Sequence, residues 1–156
     1  MDPVLRAMTS AEIAAFRIRE RASYVDDMIE RGGMAPDVAR ARAEASDAAM
    51  FPGDQPLPKH HFLIALRGTQ RIGELWFGPP PQPGTCDAWI YALEVEPDVR
   101  GQGLGRWLLE AGEACARAHG VTTLGLNVFG GNTTAIRLYA SRGYTVTAQQ
   151  MVRSLV

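Results

Sequence analysis

With 156 residues, 46% of them hydrophobic, the chain has the size of one ordinary domain and enough apolar material for a core. Sixteen basic against 17 acidic side chains leave a formal charge of -1, which supplies no electrostatic attraction to nucleic acid or an anionic membrane. Cys86 and Cys115 lack metal-ligand spacing, the opening MDPVLRAMTS forms no export leader, and no apolar run approaches the roughly 18 residues of a membrane span, so a soluble cytoplasmic protein of one domain, 1–156, with reduced thiols and no metal is expected.

VLRAM (4–8) reads as a short strand, after which Thr9 or Ser10, with Glu12 close behind, caps a helix predicted over 10–22. Two further helical pieces run through ASYVDDMIERG and PDVARARAEASDAAMF, separated by Gly32, Gly33 and Pro36. PGDQPLP (52–58) breaks structure. HHFLIAL and RIGELWFG flank RGTQ as a hairpin, and the proline-rich 78–84 is a stiff connection to a strand at 87–95. Leu104, Trp107, Leu108, Ala111, Ala114, Cys115 and Ala118 form the stripe of a helix with one buried face, closed by His119 and Gly120, with Glu113 and Arg117 paired on its exposed side. VTTLGLNVF is a strand, Asn132 caps a helix through TTAIRLYASR, and YTVTAQQMVRSL alternates as a closing strand.

RGQGLG (100–105) sits at a strand-to-helix junction. Glycine there exposes unpaired N–H groups at the positive end of the helix dipole, a nest for phosphate, and Arg100 adds a charged donor at its lip. The spacing G-x-G-x-G differs from the dinucleotide fingerprint G-x-G-x-x-G, and no G-K-[ST] for a nucleoside triphosphate follows, which leaves the pyrophosphate of another cofactor.

VEPDVRGQGLGRWLLE together with LNVFGGNTTAIRLYASRGY closely resembles the two signature regions of the Gcn5-related N-acetyltransferase superfamily. The resemblance is strongest over 87–145; residues 10–58 are generic. It implies an α/β (α+β) fold, a mixed, mostly antiparallel sheet of six or seven strands flanked by about four to five helices. It also implies acetyl-CoA as cosubstrate, its pyrophosphate on Arg100, Gly101, Gln102, Gly103, Leu104, Gly105 and Arg106, and its pantetheine arm along Leu93 and Val95 where two strands splay apart, an opening that a bulge within 90–95 would assist. Asn127 and Asn132 fall at cofactor-contacting positions, and Tyr139 matches the tyrosine beside the cofactor sulfur.

The activity implied is direct transfer of acetyl to an amine in a ternary complex, with backbone N–H donors stabilising the oxyanion and Tyr139 protonating the departing thiolate. A position after the fifth strand that is Glu in some members of the superfamily is Asn127 here, so the general base is expected to be Glu94, with Asp87 or water in reserve; strict alternation, however, turns Glu94 away from the face of Leu93 and Val95. The cysteines are poor nucleophile candidates, and His60 and His61 are expected to be turn or packing residues. The acceptor pocket is expected among the first helices, the 52–58 loop and strand 71–77, with Tyr24, Met50, Phe51, Glu74 and Trp76 as candidate contacts suited to a cationic amine. A monomer or homodimer without nucleic-acid or membrane partners is expected. A non-catalytic acyl-CoA sensor is the alternative, and retention of Tyr139 argues against it.

Overall fold

The computed structural model describes residues 1–156. After strand β1 (Val4–Ala7), Thr9 caps helix α1 (Ser10–Glu30) with a reciprocal capping box: the Glu12 N–H donates to Thr9 Oγ1 at 3.2 Å and the Thr9 N–H donates to Glu12 Oε2 at 2.8 Å. The helix does not stop near 22 as expected. No glycine or proline interrupts 10–30, so the two predicted pieces are one helix of 21 residues ending at Glu30 and capped by Arg31, just before Gly32 and Gly33. Helix α2 (Pro36–Met50) starts with proline in its first turn, where the missing N–H costs nothing.

The hairpin forms as β2 (His61–Arg67) and β3 (Gln70–Gly78), then come β4 (Ala88–Val95), helix α3 (Leu104–Ala118), β5 (Leu124–Leu126) and helix α4 (Thr133–Ser141). The sheet order is β1-β2-β3-β4-β5, antiparallel except for the parallel β4–β5 pair. This mixed, mostly antiparallel sheet with four α-helices is the expected fold class with fewer strands than six or seven. The predicted closing strand is absent. Tyr144 is held by its hydroxyl, which donates to Glu113 at 3.2 Å, but 145–156 pairs with nothing and leaves Val146, Met151, Val152 and Leu155 exposed. Its alternation lapses at Gln149 and Gln150, and β5, at three residues, is a short template.

One face of the sheet packs on α3 through Leu75, Phe77, Ile90, Leu104, Leu108 and Leu109, and the other packs on α1 through Phe16, Phe62 and Trp76. Leu108 and Leu109 are fully buried, which contributes about 1.5–3 kcal/mol each. Gly112 lets α3 sit close, because a Cβ there would lie 2.4 Å from Leu75 Cδ1. Glu113 departs from the expected exposed pair with Arg117. It is buried and accepts from Arg142 at 2.7 Å, which ties α3 to the end of α4, while Arg117 stands 3.9 Å away.

Two features of β4 open the sheet. Trp76 pairs with Ala92 but Phe77 with Ile90, so Tyr91 is an extra residue, a bulge at the position that strand splaying needs. Pairing with β5 ends at Ile90 and Leu126, so residues 91–95 have no strand partner on that side. The bulge puts Tyr91 and Ala92 both against the α1 cluster and returns Leu93 and Val95 to the α3 face.

Candidate active site

A cleft of about 1020 Å³ runs through this opening, from the glycine loop across β4 to α1 and α2. A smaller groove of about 460 Å³, lined by Leu5, His61, Cys115 and His119, lies elsewhere and includes no part of the loop.

At one end of the cleft the main chain does the work. Gly101 and Gly103 have φ of +75° and +77°, left-handed values that make glycine the residue of choice, and nothing lies within 4 Å of a Cβ built on either. The backbone N–H groups of Gly101 through Arg106 find no acceptor in the chain; Trp107 is the first to bond, to Gly103 O at 3.1 Å. A run of free donors at the start of a 15-residue helix is a built anion site, since both the N–H dipoles and the helix dipole favour negative charge there. Arg100 Nε donates to Val95 O at 2.9 Å and its Nη2 lies 3.6 Å from Glu94 Oε1, so a phosphate recruiting this guanidinium competes with β4 for it.

Of the residues expected from sequence, Leu93, Val95, Arg100, Gly101, Gly103, Leu104, Gly105, Asn127, Asn132, Tyr139 and Glu94 line this one cleft. Gln102 and Arg106 do not: the Gln102 side chain accepts from Arg67 at 3.4 Å and Arg106 pairs with Glu110 at 3.1 Å, which leaves only their backbone N–H groups at the loop. Asn132 is a helix N-cap, its Oδ1 accepting from Ala135 N at 3.3 Å. Tyr139, on α4, lines the same cleft as residues 91–95. Burial, with the Asp27 charge adding to it, pushes its phenol up to about 12, so it keeps its proton at neutral pH.

The reserve base Asp87 is committed elsewhere. Its carboxylate accepts from the Thr122 hydroxyl, from Thr122 N at 2.9 Å and from Thr123 N at 3.2 Å, bonds that hold its pKa below the usual range and tie the start of β4 to the approach of β5. Glu94 lies on the α1 side of the sheet, opposite Glu74 in register and away from the face of Leu93 and Val95, as strict alternation expects. It is exposed, and it accepts from Ser23 Oγ at 3.2 Å.

The five acceptor candidates Tyr24, Met50, Phe51, Glu74 and Trp76 all line the cleft, but the 52–58 loop does not; Pro81 and Gln82 of the proline-rich connection take that place. Trp76 stacks on Tyr91 at 4.7 Å and on Phe62 at 5.1 Å, and its indole N–H donates to His60 Nδ1 at 3.0 Å. Glu74 is buried under the guanidinium of Arg19 and that of Arg71, the latter at 2.7 Å. His60 and His61 pack as expected, His61 stacking on Phe77 at 4.6 Å. Cys115, outside the cleft, has a neighbour that the sequence reading did not credit, since His119 Nδ1 is 3.9 Å from its Sγ; burial nonetheless raises the thiol pKa, which disfavours the thiolate.

The sequence pointed to Tyr24 on the first helices but not to the other residues that α1 adds to the cleft wall. Phe16, Glu20, Ser23, Tyr24, Asp27 and Arg31 all line the cleft. Phe16, Glu20, Ser23, Asp27 and Arg31 follow one another in steps of three and four, with Tyr24 beside Ser23, and that spacing is the signal that was present: a polar stripe continuing the apolar face of one long helix. Burial, followed by the charges of Asp47, Glu94 and Asp27, pushes the Glu20 carboxyl up to about 7.

The sequence profile of the Acetyltransferase (GNAT) family matches residues 30–144. The uncharacterized N-acetyltransferase YdgE of Bacillus subtilis (strain 168) is 30% identical over 152 residues, 97% of both chains. The crystal structure of the putative acetyltransferase YycN from Bacillus subtilis superposes with a TM-score of 0.88 at 25% identity, covering 99% of each chain. A mycothiol acetyltransferase of Cellulomonas flavigena is 35% identical over 94 residues, 56% of this chain and 27% of that protein. The chain therefore belongs to the Acetyltransferase (GNAT) family and is an enzyme of the acyltransferase class.

Proposed function

We propose that the protein moves an acetyl group from acetyl-CoA to a primary amine by direct attack in a ternary complex, with no covalent enzyme intermediate. The observation that carries this reading is the coincidence in one cleft of the free N–H run of Gly101–Arg106, the unpaired backbone of 91–95 and the protonated phenol of Tyr139. The donor set fits a pyrophosphate: main-chain N–H groups, a helix N-terminus and one guanidinium. The pantetheine arm, a chain with amide groups, suits the unpaired edge of β4, where it pairs as a strand would.

With the thioester at the splay, the chain's own groups divide the chemistry. Main-chain N–H donors of β4 stabilise negative charge on the carbonyl oxygen, and Tyr139 gives its proton to the leaving sulfur. Holding the amine and thioester together lowers the barrier further by removing the entropy of their encounter. The acceptor enters from the α1–α2 side, past Tyr24, Trp76 and Tyr91. Neither cysteine is in the cleft, which supports direct transfer over a thioacyl-enzyme route.

The test is a panel of peptides with free N-termini, polyamines, aminoglycosides and amino acids, with acetyl-CoA present and free thiol as readout. Acetylation of at least one amine with stoichiometric thiol release is the expected result. Binding of acetyl-CoA without turnover across the panel overturns the transferase reading in favour of a sensor.

A further inference from the structure

The cleft is walled by five carboxylates, and four of them are held by guanidinium groups. Asp27 pairs with Arg31 at 2.6 Å, Asp47 with Arg17 at 2.8 Å and Arg21 at 3.5 Å, Glu74 with Arg19 and Arg71, and Glu94 with Arg100 at 3.6 Å. Glu20 alone makes neither a salt bridge nor a side-chain hydrogen bond, although α1 carries arginines on both sides of it, at 19 and 21. Those arginines point to other elements. An unpaired, half-buried carboxylate flanked by other negative charge is unfavourable for the fold, and groups so placed cluster at sites that bind a cation or move a proton.

We propose that Glu20 is the general base of the reaction, receiving the proton of an alkylammonium acceptor at the α1 wall of the cleft. This rests on the acetyltransferase reading above and replaces Glu94, which is exposed and engaged by Ser23 and Arg100. The charged and titratable groups that line the cleft with Glu20 are Tyr24, Asp27 and Arg31 of its own helix, Asp47 and Arg42 of α2, Glu74 of β3, Tyr91 and Glu94 of β4, Arg100 of the loop and Tyr139 of α4. Their balance is acidic near Glu20, since Asp47, Glu94 and Asp27 all act to raise its pKa, and the same field attracts a cationic amine. A carboxyl that titrates near neutrality holds the proton long enough to free the amine and releases it readily afterwards.

The step balances as follows. Glu20 takes one proton from the ammonium nitrogen and later gives it to solvent. The neutral nitrogen bonds to the thioester carbon, and the carbon–sulfur bond breaks. Tyr139 protonates the departing thiolate and recovers a proton from the nitrogen, leaving an amide with one hydrogen and a free thiol.

The experiment is a pH–rate profile of kcat/KM for wild type, Glu20→Gln and Glu20→Asp, on the alkylamine that turns over fastest in the panel, with acetyl-CoA affinity measured on the same preparations. Wild type is expected to show a rising limb near pH 7. Glu20→Gln loses that limb and falls about 10²- to 10³-fold at pH 7, recovering toward wild type as pH approaches the amine's own pKa. Glu20→Asp keeps a limb at reduced rate, and acetyl-CoA affinity is unchanged in both variants. A Glu20→Gln enzyme with the wild-type profile overturns Glu20 as base and leaves the acetyltransferase reading standing. A uniform loss at all pH values together with weakened acetyl-CoA binding also overturns it, by assigning Glu20 a structural role. Wild type that acetylates no amine overturns the reading on which this proposal rests.

Discussion

At the α3 end of the cleft the groups that face a ligand are main-chain N–H donors of 101–106, whereas at the α1–α2 end they are side chains brought together from α1, α2, β3 and β4. The first end is a local structure: two left-handed glycines and a helix start fix it within a few residues, and nothing distant is needed to make the nest. The second end exists only after the sheet, the bulge at Tyr91 and a helix of 21 residues have all formed. An enzyme that must hold one invariant cosubstrate and one family-specific acceptor gains from this division, because side chains at the acceptor wall are free to vary without disturbing the backbone nest. The difference also predicts that substitutions at the two ends fail in different ways, in affinity at one and in turnover or pH dependence at the other.

The largest effect is expected at Tyr139, which lines the cleft from α4. Tyr139→Phe keeps the ring, which packs on Tyr144 at a centroid distance of 5.6 Å, but removes the hydroxyl proposed as proton donor. Turnover should fall by about 10² to 10⁴, roughly 3–5 kcal/mol of barrier, with acetyl-CoA affinity unchanged by calorimetry. Full activity would reassign Tyr139 to packing and leave the thiolate to water.

Next in size is a stability effect at the acceptor wall. Glu20 is raised from 4.5 to about 7, so the folded chain binds its proton more tightly than the unfolded chain does. The resulting stability is present below pH 4.5 and is lost as pH rises through about 7. Glu20→Gln removes the titration and should be more stable than wild type at pH 8 by about 1–2 kcal/mol relative to the difference at pH 4, read from urea unfolding at both pH values. A pH-independent difference would mean that Glu20 is well solvated.

The smallest effect belongs to Arg100. In the proposed complex its guanidinium would exchange Val95 O and Glu94 for phosphate oxygen, so the net gain is only that of one charge-assisted bond for another. Arg100→Ala should weaken acetyl-CoA by about five- to tenfold, near 1 kcal/mol, and flatten the salt dependence of binding while leaving the KM for the amine unaltered. A change in the amine KM instead would place Arg100 at the acceptor end.

The same division decides what was legible in the amino-acid order. The nest could be read because Gly101, Gly103 and Gly105 stand together before an apolar helix stripe, and the hairpin and α3 followed from short patterns, whereas the bulge was expected only from the splayed strands that the family resemblance implies. Helix α1 reads as two pieces because its polar turns around Arg21 and Asp26 weaken the apolar periodicity that marks a helix, although no residue there stops one. The closing strand was expected from alternation alone, which gives a strand its faces but not its partner. Glu20 was invisible because a glutamate in a helix with three nearby arginines reads as a surface charge. Only the fold shows that Arg17, Arg19 and Arg21 all turn to Asp47, Asp54 and Glu74 and leave it unpaired. The hydrogen bonds that engage Asp87 are illegible for the same kind of reason, since Thr122 and Thr123 lie 35 and 36 residues away in sequence.

The most direct test of the cleft as an acetyl-CoA site with a backbone nest is thermal unfolding of wild type and Gly103→Val with and without the cosubstrate. Wild type at about 100 times the dissociation constant should gain about 2.7 kcal/mol, a rise of roughly 5–10 °C. In Gly103→Val the side chain has open space around it but cannot comfortably hold φ of +77°, so the nest reshapes; the free protein should lose only about 1–3 kcal/mol, and most of the acetyl-CoA shift should vanish. No shift in wild type, or an equal shift in both proteins, would contradict the account.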